Sequence, residues 1–562
     1  MQKNGKLELT WVGKYDEEKP VEPRILVEDK DKSYGDPNSG NMLIHGDNLI
    51  ALKALQQDFA GRIKCIYIDP PYNTGSAFEY YDDNLEHSIW LNMMSKRLKL
   101  LYDLMAEDGG ICVQIDAVEM SYLKVLMDEI FGRRNFVNIV CVKTKNAGVS
   151  GSNLGRSLQD NVEFVLMYAK DISMFELNFI PKKRRELYDY IQEYTSEGKS
   201  WKYTSVLKEI DNGEYVKSFK AGNGDEIRLF IHHKYTVKSI NQVANEEFNG
   251  DRKKVYYKYI DKVFRTTNAQ TSIRTKVIDE TKEYNNKGLF SIEYKPIKGK
   301  NANQTIRSYY KDANLIAWLK DVVSVEKEGI FKLDSIGNLW DDIQYNNLTK
   351  EGNVQFPNGK KPEELVRRFI ELLSNEDDYV LDSFLGSGTT ISCAQKLNRR
   401  WIGIELGDQC YSLCKPRIDR VIDGEDAGGI TNVVEWYGGG GYHFYELAPS
   451  LLVKNDKLPI YQVNPEYTFD MLCEAVCKIE GFKYDPQNVF QGYSSEKRFI
   501  HVTEEFVNAD YIRGLSAHLG GGQSLIVYAM KIQSDMQLPD NIEVKRIPMD
   551  LLDKCSFESE VR

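Results

Sequence analysis

The sequence predicts an α/β protein. A Rossmann-like, doubly wound sheet is split by an α+β insert and followed by a small α+β module. Three observations carry this reading. Apolar, β-branched runs alternate with amphipathic helical periods from about residue 41 to 170. The alternation resumes within 341–445, where a strand, a glycine turn and a helix follow in order. Between them periodicity fades and the charge changes sign. Residues 171–312 hold 27 Lys and Arg against 20 Asp and Glu, a local +7 in a chain of net charge −11. A basic insert in an acidic chain is where nucleic acid is expected to bind.

Composition narrows the class. The 562 residues exceed one core. Hydrophobic content of 42% and charged content of 28% are those of a globular protein. No apolar run approaches the roughly 20 residues that cross a bilayer. The start, Met1-Gln2-Lys3-Asn4, lacks a hydrophobic signal core. The nine cysteines are scattered, and Cys410/Cys414 and Cys473/Cys477 have helical rather than zinc-ligand spacing. Reduced thiols, a cytoplasmic location, no membrane and no metal are the expectations.

Taken in order, residues 1–40 are polar and read as an extended arm. Met42 to His45 is a strand that ends in Gly46-Asp47-Asn48, and a helix runs from about Leu49 to Phe59. Ile66 to Ile68 is a buried strand. Asn73 to Asp83 is a polar, aromatic loop. An amphipathic helix from about Ser88 to Met105 is expected to end at Gly109-Gly110. Strands at 111–115, 137–142 and 162–168 and a helix at 122–131 complete the first half. The insert, 171–340, interleaves Tyr and Phe with Lys182, Lys183, Arg184, Arg185 and with Arg252, Lys253, Lys254. Such residues neutralise phosphates and stack on bases; a solvated α+β domain with a Tyr and Phe core is the alternative. Residues 446–562 carry no catalytic signature and suit either assembly or a structural cap, after a Gly438–Gly441 linker.

Two stretches carry chemistry. In Asp69-Pro70-Pro71-Tyr72 the strand must stop, because proline has no N–H for the ladder. Asp69 therefore sits at a strand's carboxyl end, where open α/β sheets bind ligands. A carboxylate, fixed proline carbonyls and an aromatic ring suit a planar ring with an exocyclic amine. The same tetrapeptide is also good turn chemistry. In Asp382-Ser383-Phe384-Leu385-Gly386-Ser387-Gly388-Thr389 a strand meets a glycine turn and a helix. No Gly-Lys-Ser/Thr follows, so it is not a phosphate-binding Walker loop. Glu405 ends the next strand, 17 residues past Gly388, where an acid can bond ribose hydroxyls. A nucleoside without a diphosphate fits this arrangement.

Asp-Pro-Pro-Tyr, a long insert and then Phe-x-Gly-x-Gly resembles the β class of DNA amino-methyltransferases. His45-Gly46-Asp47-Asn48-Leu49, the run Asp69 to Gly75, and Gly441 to Ser450 look like the modification subunit of Type III restriction–modification systems. The resemblance implies a permuted core that transfers methyl from S-adenosylmethionine to adenine N6 of a flipped base. Asp69, Pro70, Pro71 and Tyr72 would hold the base. Asp382, Phe384, Gly386, Gly388 and Thr389 would line the cofactor, helped by Lys361-Pro362. Glu405 would take its ribose and Asp47 its adenine, although Asp47 also suits helix capping. Cytosine-N4 enzymes more often carry Ser at the position of Asp69, which favours adenine. The resemblance further implies double-stranded DNA, a homodimer and a helicase–nuclease subunit as partners. A solitary methyltransferase and a non-catalytic DNA-binding subunit are the alternatives.

Overall fold

The computed structural model describes residues 8–16, 19–73, 85–145, 160–220, 226–268, 272–295, 304–356, 359–455, 457–486 and 488–557, without the side chains of 181–184 and 333–335. The expected loop at 73–83 therefore lies, past Asn73, outside the described residues. Two compact units are present: Met1–Phe179 with Gly337–Arg562, and Ile180–Ile336.

The first unit opens with β1 (Met42–His45), α1 (Asn48–Phe59) and β2 (Ile63–Ile68). Then come α2 (His87–Leu104), β3 (Met105–Ile115), α3 (Ala117–Met127), β4 (Phe136–Lys143) and β5 (Val162–Ala169). Beyond the insert follow β6 (Leu339–Trp340), α4 (Glu363–Leu373), β7 (Tyr379–Asp382) and α5 (Thr389–Lys396). The last are β8 (Arg400–Glu405), α6 (Lys415–Ile422) and β9 (Gly441–Leu447).

Across the sheet the order is β9-β1-β8-β7-β2-β3-β5-β4-β6. From β9 to β3 every pairing is parallel. β5 runs antiparallel to β3 and β4, so the sheet is mixed. Apart from Lys64, β2 is buried and mainly apolar, as a strand covered on both faces is expected to be. Helices α1, α2 and α3 share one apolar cluster with the sheet, and α4 packs on β2 and α5. Because β7 lies between β8 and β2, the glycine turn and the Asp-Pro-Pro-Tyr stretch leave neighbouring strands at the same edge.

Several expectations change. α2 ends at Leu104, and Gly109-Gly110 lie inside β3 rather than capping the helix. A Cβ on Gly109 would stand 2.8 Å from the Ile63 carbonyl oxygen, and one on Gly110 2.8 Å from Leu373, so both glycines serve close packing. The N-terminal arm is not loose: Leu26–Glu28 and Tyr34–Gly35 pair with β9. The Gly438–Gly441 run leads directly into β9, and a Cβ on Gly441 would meet the Asp36 amide at 2.2 Å. The C-terminal residues build a sheet from Lys483–Tyr484 to Ile542–Arg546 with a cluster of their own, which Ile25 joins.

The second unit is largely antiparallel. Its main sheet runs from Glu214–Lys220 at one edge to Tyr235–Ser239 at the other. A smaller sheet joins Val323–Glu326, Gly329–Ser335 and Pro181–Glu186.

Candidate active site

β2 ends at Ile68, and Pro70, which has no N–H, cannot extend it. Beyond it Trp90 Nε1 donates to the Pro71 carbonyl at 2.8 Å, which fixes the second proline. Asn73 takes a left-handed φ of 59°. Its side chain donates to Glu119 at 2.7 Å and accepts from the Leu85 amide at 2.8 Å. The backbone that carries Tyr72 is thus held from both sides.

Asp69 is poised between two influences. Its Oδ2 lies 2.7 Å from Lys361 Nζ. Its Oδ1 is buried and has no hydrogen-bond partner among the described residues. Burial pushes the Asp69 carboxyl above its ordinary range, and the Lys361 charge works against that rise. The Tyr72 hydroxyl donates to Glu163 Oε2 at 3.0 Å. Gln114 donates to the same oxygen, and Tyr67 donates to Gln114. Lys361 Nζ also stands 3.9 Å from Glu163 and 4.9 Å above the Tyr72 ring.

Sequence reasoning missed Glu163 and Gln114. Glu163 is the lone charged residue of β5 and Gln114 the lone polar residue of the buried run Ile111–Ile115 within β3, and that pattern is the available signal. Lys361 was placed on the cofactor side, whereas its ammonium lies on Asp69.

The second half of the site is the turn after β7. Gly386 and Gly388 have φ of +56° and +75°, a region that a side chain disfavours. Asp382 accepts from the Phe384 amide at 2.9 Å and from Thr390 Oγ1 at 2.6 Å. Burial nevertheless pushes its carboxyl up to about 7. Glu405 accepts from the Gly386 amide at 2.6 Å through one oxygen. Through the other it accepts from the Gly407 amide at 3.1 Å and Gln409 at 2.8 Å. The expected ribose ligand is therefore also the clasp of the glycine turn.

Thr389 faces inward. Arg417 Nη1 donates to its hydroxyl at 2.8 Å and to the Ser387 carbonyl at 3.0 Å, while Nη2 reaches Glu363 at 2.8 Å. Glu363 in turn pairs with Lys396 at 2.8 Å, and Lys396 with Asp426 at 2.7 Å. Asp47 caps α1, accepting from the Leu49 amide at 2.9 Å, and pairs with Arg97 at 3.2 Å. Its neighbour Asn48 donates to the Ser383 carbonyl at 2.7 Å, which ties the first half to the turn. Pro362 is the N-cap of α4.

These residues fit a nucleoside-bearing cofactor. Two glycines give backbone access, Ser383 Oγ is buried without a partner among the described residues, and a carboxylate ends β8. Among the described residues no group of three His, Cys, Asp or Glu is placed to hold a metal. No described helix is long and apolar enough to cross a membrane.

In the second unit, Lys182, Lys183 and Arg184 lie on the strand Pro181–Glu186, with side chains outside the described residues. Arg185 pairs with Glu193 at 2.6 Å and stacks 4.3 Å over Tyr190. Arg252, Lys253 and Lys254 are exposed at the start of the helix Arg252–Lys258. Glu186 contacts Lys253 at 3.5 Å and receives the Tyr257 hydroxyl, so the two basic clusters are neighbours. His232 links Asp211 at 2.7 Å to Ser291 at 2.9 Å. That chain has the order of a hydrolase relay, but Ser291 is fully buried and accepts from Arg307, so it stiffens the sheet instead.

Residues 63–415 match the family N6_N4_Mtase, described as DNA methylase. The chain belongs to this DNA methylase family. It is 44% identical over 485 residues to the "probable type III restriction-modification enzyme HindVI Mod subunit" of Haemophilus influenzae, covering 86% of this chain and 62% of that protein. It is 28% identical over 425 residues to the type III restriction-modification enzyme EcoP15I Mod subunit of Escherichia coli, covering 67% and 59%. The chain thus spans about six-tenths of the length of these relatives. Among solved structures it resembles M1.HpyAVI in complex with SAM at 14% identity, covering 67% and 99%, with a TM-score of 0.28, a likeness too loose to carry any argument.

Proposed function

We propose that the chain transfers a methyl group from S-adenosylmethionine to adenine N6 in duplex DNA, as the modification and specificity subunit of a type III restriction–modification system. The observation that carries the reading is the pairing of β2 with β7. It puts Asp69, with one carboxylate oxygen unpartnered among the described residues, and the Gly386–Gly388 turn on adjacent strand ends. Membership in the DNA methylase family and the likeness to two Mod subunits support it.

The adenine amine is a weak nucleophile because its lone pair is delocalised into the ring. Asp69 Oδ1 accepts one amine hydrogen and the Pro70 carbonyl the other, which favours a pyramidal nitrogen with a directed lone pair. S-adenosylmethionine would supply a methyl group on a sulfonium whose neutral thioether departs as N6 is methylated, and the Asp69 carboxylate takes the proton that the methylated amine sheds. The chain's part is chiefly orientation. Gly386, Gly388 and Thr389 shape the cofactor side, with Asp382, Phe384, Glu405 and Asp47 around it. Tyr72, held by Glu163, presents a stacking face worth roughly 1–3 kcal/mol, against a flipping cost of a few kcal/mol. The basic clusters of the insert, Lys182 to Arg185 and Arg252 to Lys254, serve phosphate contact.

A dimer, with a helicase–nuclease subunit as further partner, completes the proposal, because one subunit can flip the base while another reads the site. The test is mass spectrometry of nucleosides from DNA of a methylation-free host that expresses the chain. N6-methyladenine at one sequence context is expected. N4-methylcytosine would overturn the adenine assignment, and neither product would overturn the reading.

A further inference from the structure

We infer that Lys361 is a positioning residue for the transfer step: it holds the Asp69 carboxylate charged and aimed, while Glu163 opposes it and sets the balance. The inference rests on the proposed function above. Lys361 stands one residue before the N-cap of α4, far from Asp69 in the chain, yet its ammonium is 2.7 Å from Asp69 Oδ2 and 3.9 Å from Glu163 Oε2. The lysine side chain is 11% exposed and the two carboxylates 19% and 20%, so water screens the three charges little. By taking Oδ2, Lys361 turns Oδ1 into the acceptor that remains, and Oδ1 has no hydrogen-bond partner among the described residues. A protonated Asp69 would present a donor where the amine needs an acceptor.

The electrostatics agree in sign. Burial raises the Asp69 pKa, Lys361 and the Tyr72 hydroxyl lower it, and Glu163 raises it. Burial works against the Lys361 charge, and the Asp69 and Glu163 carboxylates more than offset this. The other titratable groups facing Asp69 are Tyr72, Tyr67, Tyr345 and Asp382, and burial keeps all three tyrosines protonated. Asp382 titrates at about 7, and Lys361 is not among the charges that move it.

The experiment is the pH dependence of single-turnover methyl transfer at saturating cofactor and DNA. It uses the full chain and compares Lys361→Met, Lys361→Arg and Glu163→Gln with wild type. Lys361→Met is expected to move the acid limb to higher pH by at least about one unit. Lys361→Arg should keep it near wild type, and Glu163→Gln should move it the opposite way. Thermal melting checks that each variant is folded. If Lys361→Met proves unfolded, the Glu163→Gln shift alone decides. An unmoved limb in both variants, with only slower transfer or weaker cofactor binding, would overturn the inference and leave Lys361 as a cofactor contact. Absence of methyl transfer by the wild-type chain would instead overturn the proposed function.

Discussion

Replacing Arg417 with Met probes the buried support of the glycine turn. The guanidinium is fully buried and makes three bonds, to the Ser387 carbonyl at 3.0 Å, Thr389 Oγ1 at 2.8 Å and Glu363 Oε1 at 2.8 Å. Breaking a buried ion pair from one side costs about 3–5 kcal/mol. Lys396 remains 2.8 Å from the other Glu363 oxygen, which holds that cost at the low end. The Ser387 carbonyl loses its Arg417 donor and Thr389 Oγ1 keeps only the Ser387 hydroxyl and the Lys361 carbonyl, which brings the total to about 4 kcal/mol. Methionine preserves much of the packing, so the loss is electrostatic. Adding Glu363→Gln removes the uncompensated carboxylate while Lys396 keeps Asp426, so the double variant should recover at least about 1 kcal/mol. Urea denaturation followed by far-ultraviolet dichroism reads both. A loss below about 1 kcal/mol for the single variant, or a double variant as unstable as the sum of the singles, would refute the reasoning.

Three further outcomes follow. Asp69→Asn should lower methyl transfer roughly 100-fold or more, the scale of losing one preorganised electrostatic contact, while gel-shift affinity for DNA stays within about threefold; near-normal turnover would remove Asp69 from the chemistry. Asp382 titrates higher folded than unfolded, so the folded chain holds the proton more tightly. Its stabilising contribution is full below about pH 4 and is lost as pH rises through about 7. Relative to Asp382→Asn, wild type should lose stability between about pH 4 and pH 7, and parallel denaturation midpoints would contradict this. Exchange of Ile180–Ile336 for the matching segment of a similar enzyme should change the sequence methylated and not the atom, as read by sequencing of modified DNA.

Much of the core was legible in the sequence because local rules and global packing agree there. The strand at Ile66–Ile68, the helix from Leu49 and the turn at Gly386–Gly388 each carry a periodicity or a backbone demand that only one element meets. Gly109-Gly110 misled because a helix cap and a close-packed strand use glycine for different reasons, and only the neighbours Ile63 and Leu373 tell them apart. In the site, Asp69 and Tyr72 announced themselves through the prolines. The partners Lys361 and Glu163 did not, since they come from the approach to α4 and from β5, distant in the chain, and meet once α4 packs on β2. Asp47 satisfied two readings at once, and its capping bonds are what the fold displays. The insert stayed opaque because antiparallel strands rich in Tyr, Lys and Arg give weak alternation.

The place of β7 bears on how the chain is made. Cys65 and Ile66 pair with Val380 and Leu381, from opposite sides of the insert. At about 5–20 residues per second, the ribosome needs roughly 15–60 s to travel from one to the other. For that interval the central strand has β3 on one flank and nothing on the other. Its unpaired apolar edge is a template for wrong partners. The length of the insert, more than its chemistry, fixes how long the nascent protein depends on protection by chaperones.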